Sequence, residues 1–280
     1  MQALRRFLRH RFALAGLVVF CLIASSCALA PYLTPYNPNQ VNLRDAGQPP
    51  SSAHWFGTDR IGRDILSRTL YGGRVSLMVG VLATAVSTVI GTLLGALAGF
   101  YRGWVETCIM RLTDVAMAFP PIIIIMVFVS IVGPGMWNLI FILGILSWPG
   151  VCRLVRAEFL ALREMEYVEA SIALGASPYR VMFRHILPNA MAPILVNGSF
   201  GTAAAILTES GLSFLGLGIP PPTASWGNML NNARVISVLE SQPWIWLPPG
   251  IMIVLSVLAI NFIGDGLRDA LDPKSRQSRT

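Results

Sequence analysis

The chain has 280 residues, of which 54% are hydrophobic and only 12% are charged, and its mean hydropathy is +0.61. A soluble domain carries about twice that share of charge, so these apolar residues need lipid as their solvent. The net charge of +7 does not indicate nucleic-acid binding, because the basic residues cluster between apolar runs and form no basic stripe elsewhere.

Six apolar runs approach the roughly 20 residues that a helix needs to cross a bilayer. They cover residues 12–30, 75–100, 115–132, 136–151, 190–217 and 244–263. The fourth run is the shortest, and we expect it to continue as helix beyond the bilayer. The sequence therefore predicts an all-α polytopic membrane protein with six transmembrane helices.

The first run has two features of a signal peptide. Arginines precede it, and it ends in Ala28-Leu29-Ala30. However, its apolar stretch is longer than a usual signal core, and Pro31 follows directly, which disfavours cleavage. We therefore expect the run to be retained as the first span.

Two features follow in chain order. Residues 31–74 are rich in Pro, Asn and Gly, which predicts an ordered loop without helix. In the second run, Gly91, Gly95 and Gly99 recur every four residues and therefore share one helix face. Small residues on one face let membrane helices approach closely, so this face is predicted to pack against another helix.

The distribution of basic residues predicts the orientation. With a cytoplasmic N-terminus, 15 of the 21 basic residues lie on the inner side and 6 on the outer side. The outer arginines are expected to pair in part with Asp45, Asp59 and Asp64. Both termini are therefore predicted to be cytoplasmic.

The sequence lacks most of the motifs that ATP binding, metal binding or catalysis would need. Lys274, the one lysine, follows no glycine-rich loop, so the chain has no phosphate-binding P-loop. The four cysteines form no CxxC pair, and His10, His54 and His185 form no metal cluster and are expected to be ordinary surface or interface residues. No catalytic constellation supports an intramembrane enzyme. A secondary transporter driven by an ion gradient remains as an alternative, although its usual midplane carboxylates are missing.

Glu209 is the one carboxylate inside the fifth run. It lies twenty residues after Asn189, or about 30 Å along a helix, which places it near the outer face. Two interpretations stay open. The carboxylate lines the pore or the permease interface at the external mouth, or it makes a hydrogen bond at a helix interface with Thr208 or Ser210 nearby.

The inner connection, residues 164–188, reads as two short helices with a corner. Gly175 suits a helix C-terminus in the left-handed conformation, Ser177 is a good N-cap, and Pro178 suits the first helical turn. Pro188 is expected to break the chain again. Such an amphipathic elbow needs a protein partner.

This connection resembles the EAA motif of bacterial ABC importer permeases. Glu169, Ala170, Gly175, Leu187 and Pro188 match the motif in register, whereas Ser171 replaces its second alanine and His185 its isoleucine. The resemblance implies a coupling helix that sits in a groove of an ATPase subunit. The implied coupling residues are Glu169, Ala170, Ser171, Gly175, Ala176, Ser177, Pro178, Leu187 and Pro188.

Further blocks at 56–59, 62–64, 66–68, 213–218, 226–227 and 261–273 are similar to the second permease of dipeptide and oligopeptide importers. The resemblance implies the type I importer fold, with an N-terminal helix and extracytoplasmic segment over 1–74, a permease core over 75–272 and a cytoplasmic tail over 273–280. It also implies a bacterial cytoplasmic membrane.

The implied partners are a homologous permease, two ATPase subunits that bind ATP and Mg²⁺, and an extracytoplasmic binding protein. The chain itself would hold no cofactor and catalyse no reaction. The expected cargo is a short peptide, and nickel, glutathione or another small solute is the alternative.

Overall fold

The computed structural model describes residues 7, 8 and 10–271. Within them the chain is helical, and its only β-type pairing is a single bridge between Thr58 and Asp64. The predicted tail 273–280 and the arginines at positions 5, 6 and 9 lie outside the described residues.

The helices follow one another along most of the chain. They are α1 (Arg11–Ala28), α2 (Ala30–Leu33), α3 (Ile65–Tyr101), α4 (Gly103–Met117), α5 (Pro121–Val132), α6 (Met136–Leu146) and α7 (Trp148–Arg163). They continue with α8 (Glu166–Ala173), α9 (Pro178–Arg180), a π-helical stretch (Val181–Ile186), α10 (Leu187–Phe214), α11 (Trp226–Leu230), α12 (Ile236–Ser241) and α13 (Pro243–Leu271). Short 3-10 turns cover Leu43–Asp45 and Asn231–Arg234.

Five helical segments are long and apolar enough to cross a membrane: α1, α3, α6 with α7, α9 with α10, and α13. The pair α4 and α5 adds a sixth span if the two helices, bent by 83°, are counted as one. The all-α membrane fold is therefore confirmed. The continuation of the fourth run as helix also agrees with the structure, since α6 and α7 together reach Arg163.

The predicted third span, 115–132, is wrong as a single helix. The chain breaks between Met117 and Pro121, because proline lacks an amide hydrogen and also disfavours helical geometry in the residue before it, here Pro120. The remaining helix α5 has 12 residues, or about 18 Å, which is shorter than the roughly 30 Å hydrocarbon core.

The predicted loop over 31–74 is wrong at its start, where the short helix α2 (Ala30–Leu33) ends, and in its last ten residues. Helix α3 already begins at Ile65, because the Asp64 carboxylate accepts hydrogen bonds from the Ser67 amide and hydroxyl, both at 2.7 Å. A side-chain acceptor at this position satisfies a free amide of the first helical turn.

Helix α3 lies at the centre of the fold and contacts α1, α6, α7 and α10. Its three spaced glycines lie against α7. A Cβ atom added at Gly91, Gly95 or Gly99 would come within 2.5, 2.6 or 2.6 Å of Val151, Cys152 or Phe159. The two helices therefore approach as closely as their backbones allow.

Candidate coupling surface and its supports

The elbow, residues 164–188, turns at Gly175, whose φ of +78° lies in the left-handed region. The Gly175 amide donates to the Ile172 carbonyl at 2.9 Å, and the Ala176 amide donates to the Ser171 carbonyl at 3.1 Å. This pair of bonds is the Schellman motif, which closes a helix C-terminus. Gly175 thus has the conformation predicted from the sequence, and the corner is held by backbone hydrogen bonds.

The second arm of the elbow differs from the prediction at two positions. Ser177 stands at the N-cap with Pro178 in the first turn, but the Ser177 side chain makes no capping hydrogen bond. The expected break at Pro188 is absent, because the π-helical stretch Val181–Ile186 leads directly into α10 and leaves Pro188 in its first turn. Proline is tolerated in a first turn, where its missing donor has no partner to lose.

One face of the elbow is anchored in the core. Val168, Val181 and Ile186 are fully buried and pack in one cluster with Val155 and Phe159 of α7. The elbow is therefore joined to α7 and α10 by close-packed side chains.

The opposite face of the elbow is exposed and apolar. Leu174 is 88% exposed and Tyr179 71% exposed, and three further apolar side chains are more than 40% exposed. We call this set the elbow ridge; it consists of Met165, Tyr167, Ile172, Leu174 and Tyr179. Glu169 and Ala170 are exposed beside it. Several large apolar side chains exposed on one short segment are typical of a protein-protein interface.

Glu209 is fully buried within the chain. Its carboxylate accepts hydrogen bonds from the Ser76 hydroxyl at 2.9 Å and the Ser213 hydroxyl at 2.8 Å, with Ser210 farther away at 3.5 Å. Its placement at the pore or at the permease interface stays a prediction. The helix-interface interpretation fits, although Ser76 and Ser213 are the main partners and the Thr208 hydroxyl donates to a backbone carbonyl instead.

The two serines extend this network to the segment after α10. The Ser76 hydroxyl accepts from the Trp226 amide at 3.1 Å, and the Ser213 hydroxyl accepts from the Ile219 amide at 3.2 Å. Trp226 is fully buried, and its indole donates to the Thr69 carbonyl at 2.9 Å. Glu209 therefore connects α3, α10 and the segment 219–226 through one buried acceptor group.

The segment before α3 is held by a second polar cluster. Asp59 accepts hydrogen bonds from the Arg63 amide at 2.9 Å and the Arg63 side chain at 2.6 Å, and Arg68 lies 3.9 Å away. His54 is buried, with its Nδ1 atom 2.9 Å from the Asp64 carboxylate. Of the two placements expected for His54, surface or interface, the structure therefore excludes the surface. Asp64 contacts a histidine, whereas an arginine partner was expected.

The comparison with known families decides the identity. The profile described as "Binding-protein-dependent transport system inner membrane component" matches residues 91–277. The chain belongs to this family. Residues 1–50 of the permease also match the profile described as "N-terminal TM domain of oligopeptide transport permease C". The permease is thus a multi-pass membrane component of a transporter, and not an enzyme.

Close relatives of the permease cover nearly its whole length. A protein of Brucella suis biovar 1 (strain 1330), named as a peptide permease, is 48% identical over 98% of this chain and 91% of its own. A protein of Brucella abortus biovar 1 (strain 9-941), named as a peptide transport system permease, is 46% identical over 96% of this chain and 90% of its own.

A third relative, the glutathione transport system permease of Pectobacterium atrosepticum, is 46% identical over 96% of this chain and 89% of its own. Among solved structures, the methionine ABC transporter MetNI in inward-facing conformations aligns with a TM-score of 0.60 at 21% identity. The alignment covers 74% of this chain and 98% of the MetNI chain, and it shows that the permease has the type I importer fold.

Three ion pairs near the elbow could not be predicted from the sequence. Arg153 of the permease lies 2.7 Å from Asp114, Arg102 lies 2.7 Å from Glu164, and Arg156 pairs with Glu106. They join α7 and its C-terminal end to α3 and α4. The partners lie 39 to 62 residues apart in the chain, so no local spacing indicates them.

Proposed function

We propose that the permease forms, together with a homologous second permease, the membrane pathway of an ATP-driven importer for short peptides. An extracytoplasmic binding protein delivers the cargo, and two ATPase subunits dock on the cytoplasmic side. The observation that carries this proposal is the elbow ridge, an exposed apolar face mounted on a fully buried base. The two Brucella relatives named for peptides support the cargo, and the relative named for glutathione is consistent with the alternative cargo.

The elbow ridge has the properties that an ATPase-docking surface needs. The chain has no P-loop lysine, so it must receive energy from another protein through contact. Leu174 and Tyr179 offer apolar area to a groove, and the small side chain of Ala170 lets the ridge sit deep in it. The exposed Glu169 carboxylate can accept hydrogen bonds from a partner across the interface.

Gly175 keeps this surface rigid during coupling. A side chain in the left-handed conformation costs about 1 kcal/mol or more, although asparagine tolerates it better than other residues. We expect Gly175→Val to abolish uptake, because the corner would have to change its conformation, whereas Gly175→Asn should retain most of it. Glu169→Lys should also abolish uptake by reversing a charge at the interface.

The test uses the complete transporter in proteoliposomes, with labelled di- to hexapeptides bound to the binding protein. Uptake and the stimulation of ATP hydrolysis by loaded binding protein are measured for each variant. Loss of both quantities at normal assembly of the permease pair supports coupling through the elbow. Normal uptake by Gly175→Val and Glu169→Lys would place the coupling surface elsewhere, and competition by nickel chelates but not by peptides would change the cargo.

A further inference from the structure

A groove lies between α3, α5, the α6–α7 junction and α10, and its volume is about 320 Å³. Most of its lining is apolar, but hydroxyl and amide side chains are spread along it, and we call it the polar groove after them. Its hydrogen-bonding side chains are Thr84, Ser87, Thr88, Ser147, Asn197 and Thr208. Within the described part of the chain, no ionisable side chain lines it. The volume lies in the range of small-ligand sites.

By helix geometry the polar groove extends from the predicted middle of the bilayer at Asn197 to its predicted outer face at Thr208, next to Glu209. Asn197 follows the start of α10 by ten residues, or about 15 Å, which is half of the hydrocarbon core. Thr84 likewise stands at the middle of the 37-residue helix α3. The groove therefore lies at the depth that any cargo must pass.

Lipid tails offer no hydrogen-bond partners to the Asn197 side chain. Its carboxamide can donate and accept hydrogen bonds, the side chain is only half-buried, and within the described residues it has no hydrogen-bond partner in the protein. The side chains of Thr88 and Ser147 and the Thr84 hydroxyl likewise have no partner there. Polar groups without partners are expensive in hydrocarbon, so these side chains must face water, cargo or another protein.

The α10 wall of the polar groove consists mostly of small side chains. Asn197, Gly201, Ala204 and Thr208 recur at helical spacing and form one face of α10. A Cβ atom at Gly201 would approach the Thr84 side chain at 3.1 Å, so glycine lets α10 lie close to the floor of the groove. Nothing lies within 4 Å of such an atom at Gly150 on the opposite wall.

We infer that the polar groove is the surface along which cargo crosses the membrane, and that Asn197 and Thr84 bind the peptide backbone of the cargo. This inference rests on the proposed function and names the chemistry of its pathway. Amide and hydroxyl groups match the donors and acceptors that every peptide bond carries, whatever its side chains. A neutral wall also neither attracts nor repels charged side chains, so the groove accepts cationic, anionic and neutral peptides alike.

The first experiment tests whether water reaches the polar groove in the assembled transporter. In a variant without native cysteines, Asn197→Cys and Thr208→Cys are treated with a charged, membrane-impermeant thiol reagent, and Thr202→Cys serves as control. Thr202 lies on the same helix but does not line the groove. We expect rapid labelling of the first two variants, slowed by saturating peptide, and slow labelling of the control. Labelling at the rate of the control in every nucleotide state would overturn the inference, because the second permease would then fill the groove.

The second experiment tests the recognition of cargo. Thr84→Val should lower peptide uptake roughly threefold to tenfold, since one hydrogen bond to the cargo is lost, while Thr202→Val should leave it unchanged. Asn197→Asp should create a preference that the natural chain lacks, favouring cationic over anionic tripeptides by about tenfold, because a charge in a narrow pathway is weakly screened. Stimulation of ATP hydrolysis by loaded binding protein should persist in all three variants.

Uptake by Asn197→Asp that treats both tripeptides equally would overturn the inference. The Glu169→Lys variant, measured in the same assay, separates a failure of this inference from a failure of the proposed function. If Glu169→Lys abolishes uptake and the groove variants change nothing, only the inference fails. If the unaltered transporter takes up no peptide, the proposed cargo fails, and labelling of Asn197→Cys at the control rate would then decide against the groove as well.

Discussion

At the residue scale, Glu209 shows how one buried acceptor can order distant parts of the chain. Its carboxylate lies against Ser76 and Ser213, and these two serines in turn accept from the Trp226 and Ile219 amides. Each serine hydroxyl therefore has one donor and one acceptor partner. Removal of the carboxylate leaves both hydroxyl protons without an acceptor in a dry interior.

We expect Glu209→Leu to destabilise the permease by about 2 kcal/mol or more, because two buried hydrogen bonds are lost at about 1 kcal/mol each. Glu209→Gln retains an acceptor oxygen and should cost less. Thermal unfolding of the detergent-solubilised complex measures both variants, and proteolysis of residues 215–225 reports the order of the segment after α10. Equal unfolding temperatures for Glu209→Leu and the unaltered protein would contradict this role.

At the scale of elements, the contact between α3 and α7 depends on the absence of side chains. Gly91, Gly95 and Gly99 lie against α7 at distances that no Cβ atom tolerates. Under the proposed function this contact matters for transport, because α7 carries the base of the elbow and α3 forms one wall of the polar groove. Wider separation of the helices would therefore disturb both.

We expect Gly95→Ala to destabilise the permease by roughly 1–3 kcal/mol, since its methyl group would meet the Cys152 carbonyl of α7 at 2.6 Å. Gly211→Ala in α10 is the matched control, because nothing lies within 4 Å of the added atom there. Unfolding temperatures of the purified complex compare the two variants. A Gly95→Ala protein as stable as the control would mean that the helices separate at no cost.

At the scale of the whole molecule, the distribution of charge predicts how the helices are oriented in the membrane. The 15 basic residues on one predicted side include those next to the elbow, whereas the segment before α3 is predicted to lie on the other side with three of the remaining six. Lys and Arg near short loops are retained in the cytoplasm during insertion. The elbow is thereby predicted to face the ATPase subunits.

We expect Leu174→Cys to react with an impermeant thiol reagent only in inside-out vesicles, and Trp55→Cys only in right-side-out vesicles. Both positions are well suited to the test, since Leu174 is 88% and Trp55 69% exposed. Mass spectrometry of the modified permease measures the labelled fraction. The reverse pattern would show that the chain is inserted with its elbow outside.

Features that depend on neighbouring residues could be predicted from the sequence. The apolar runs indicated a membrane protein, because burial in lipid depends on the composition of about 20 consecutive residues. The corner at Gly175 followed from the Gly-Ala-Ser-Pro order, and the motif around Glu169 pointed to the family. The residues that start α3 are also neighbours in the sequence. The capping role of Asp64 could nevertheless not be recognised, because Asp64 stands in a segment rich in loop-forming residues.

The sequence by itself thus determined the membrane class, the approximate spans, the glycine face and the elbow. Only the tertiary structure decided the partners of Glu209, the His54–Asp64 contact, the bend before Pro121 and the polar groove. Ser76 and Glu209 lie 133 residues apart, and the groove draws its wall from helices distributed over more than 100 residues. Such contacts arise from the way whole helices pack against one another, and no spacing within a single segment encodes them.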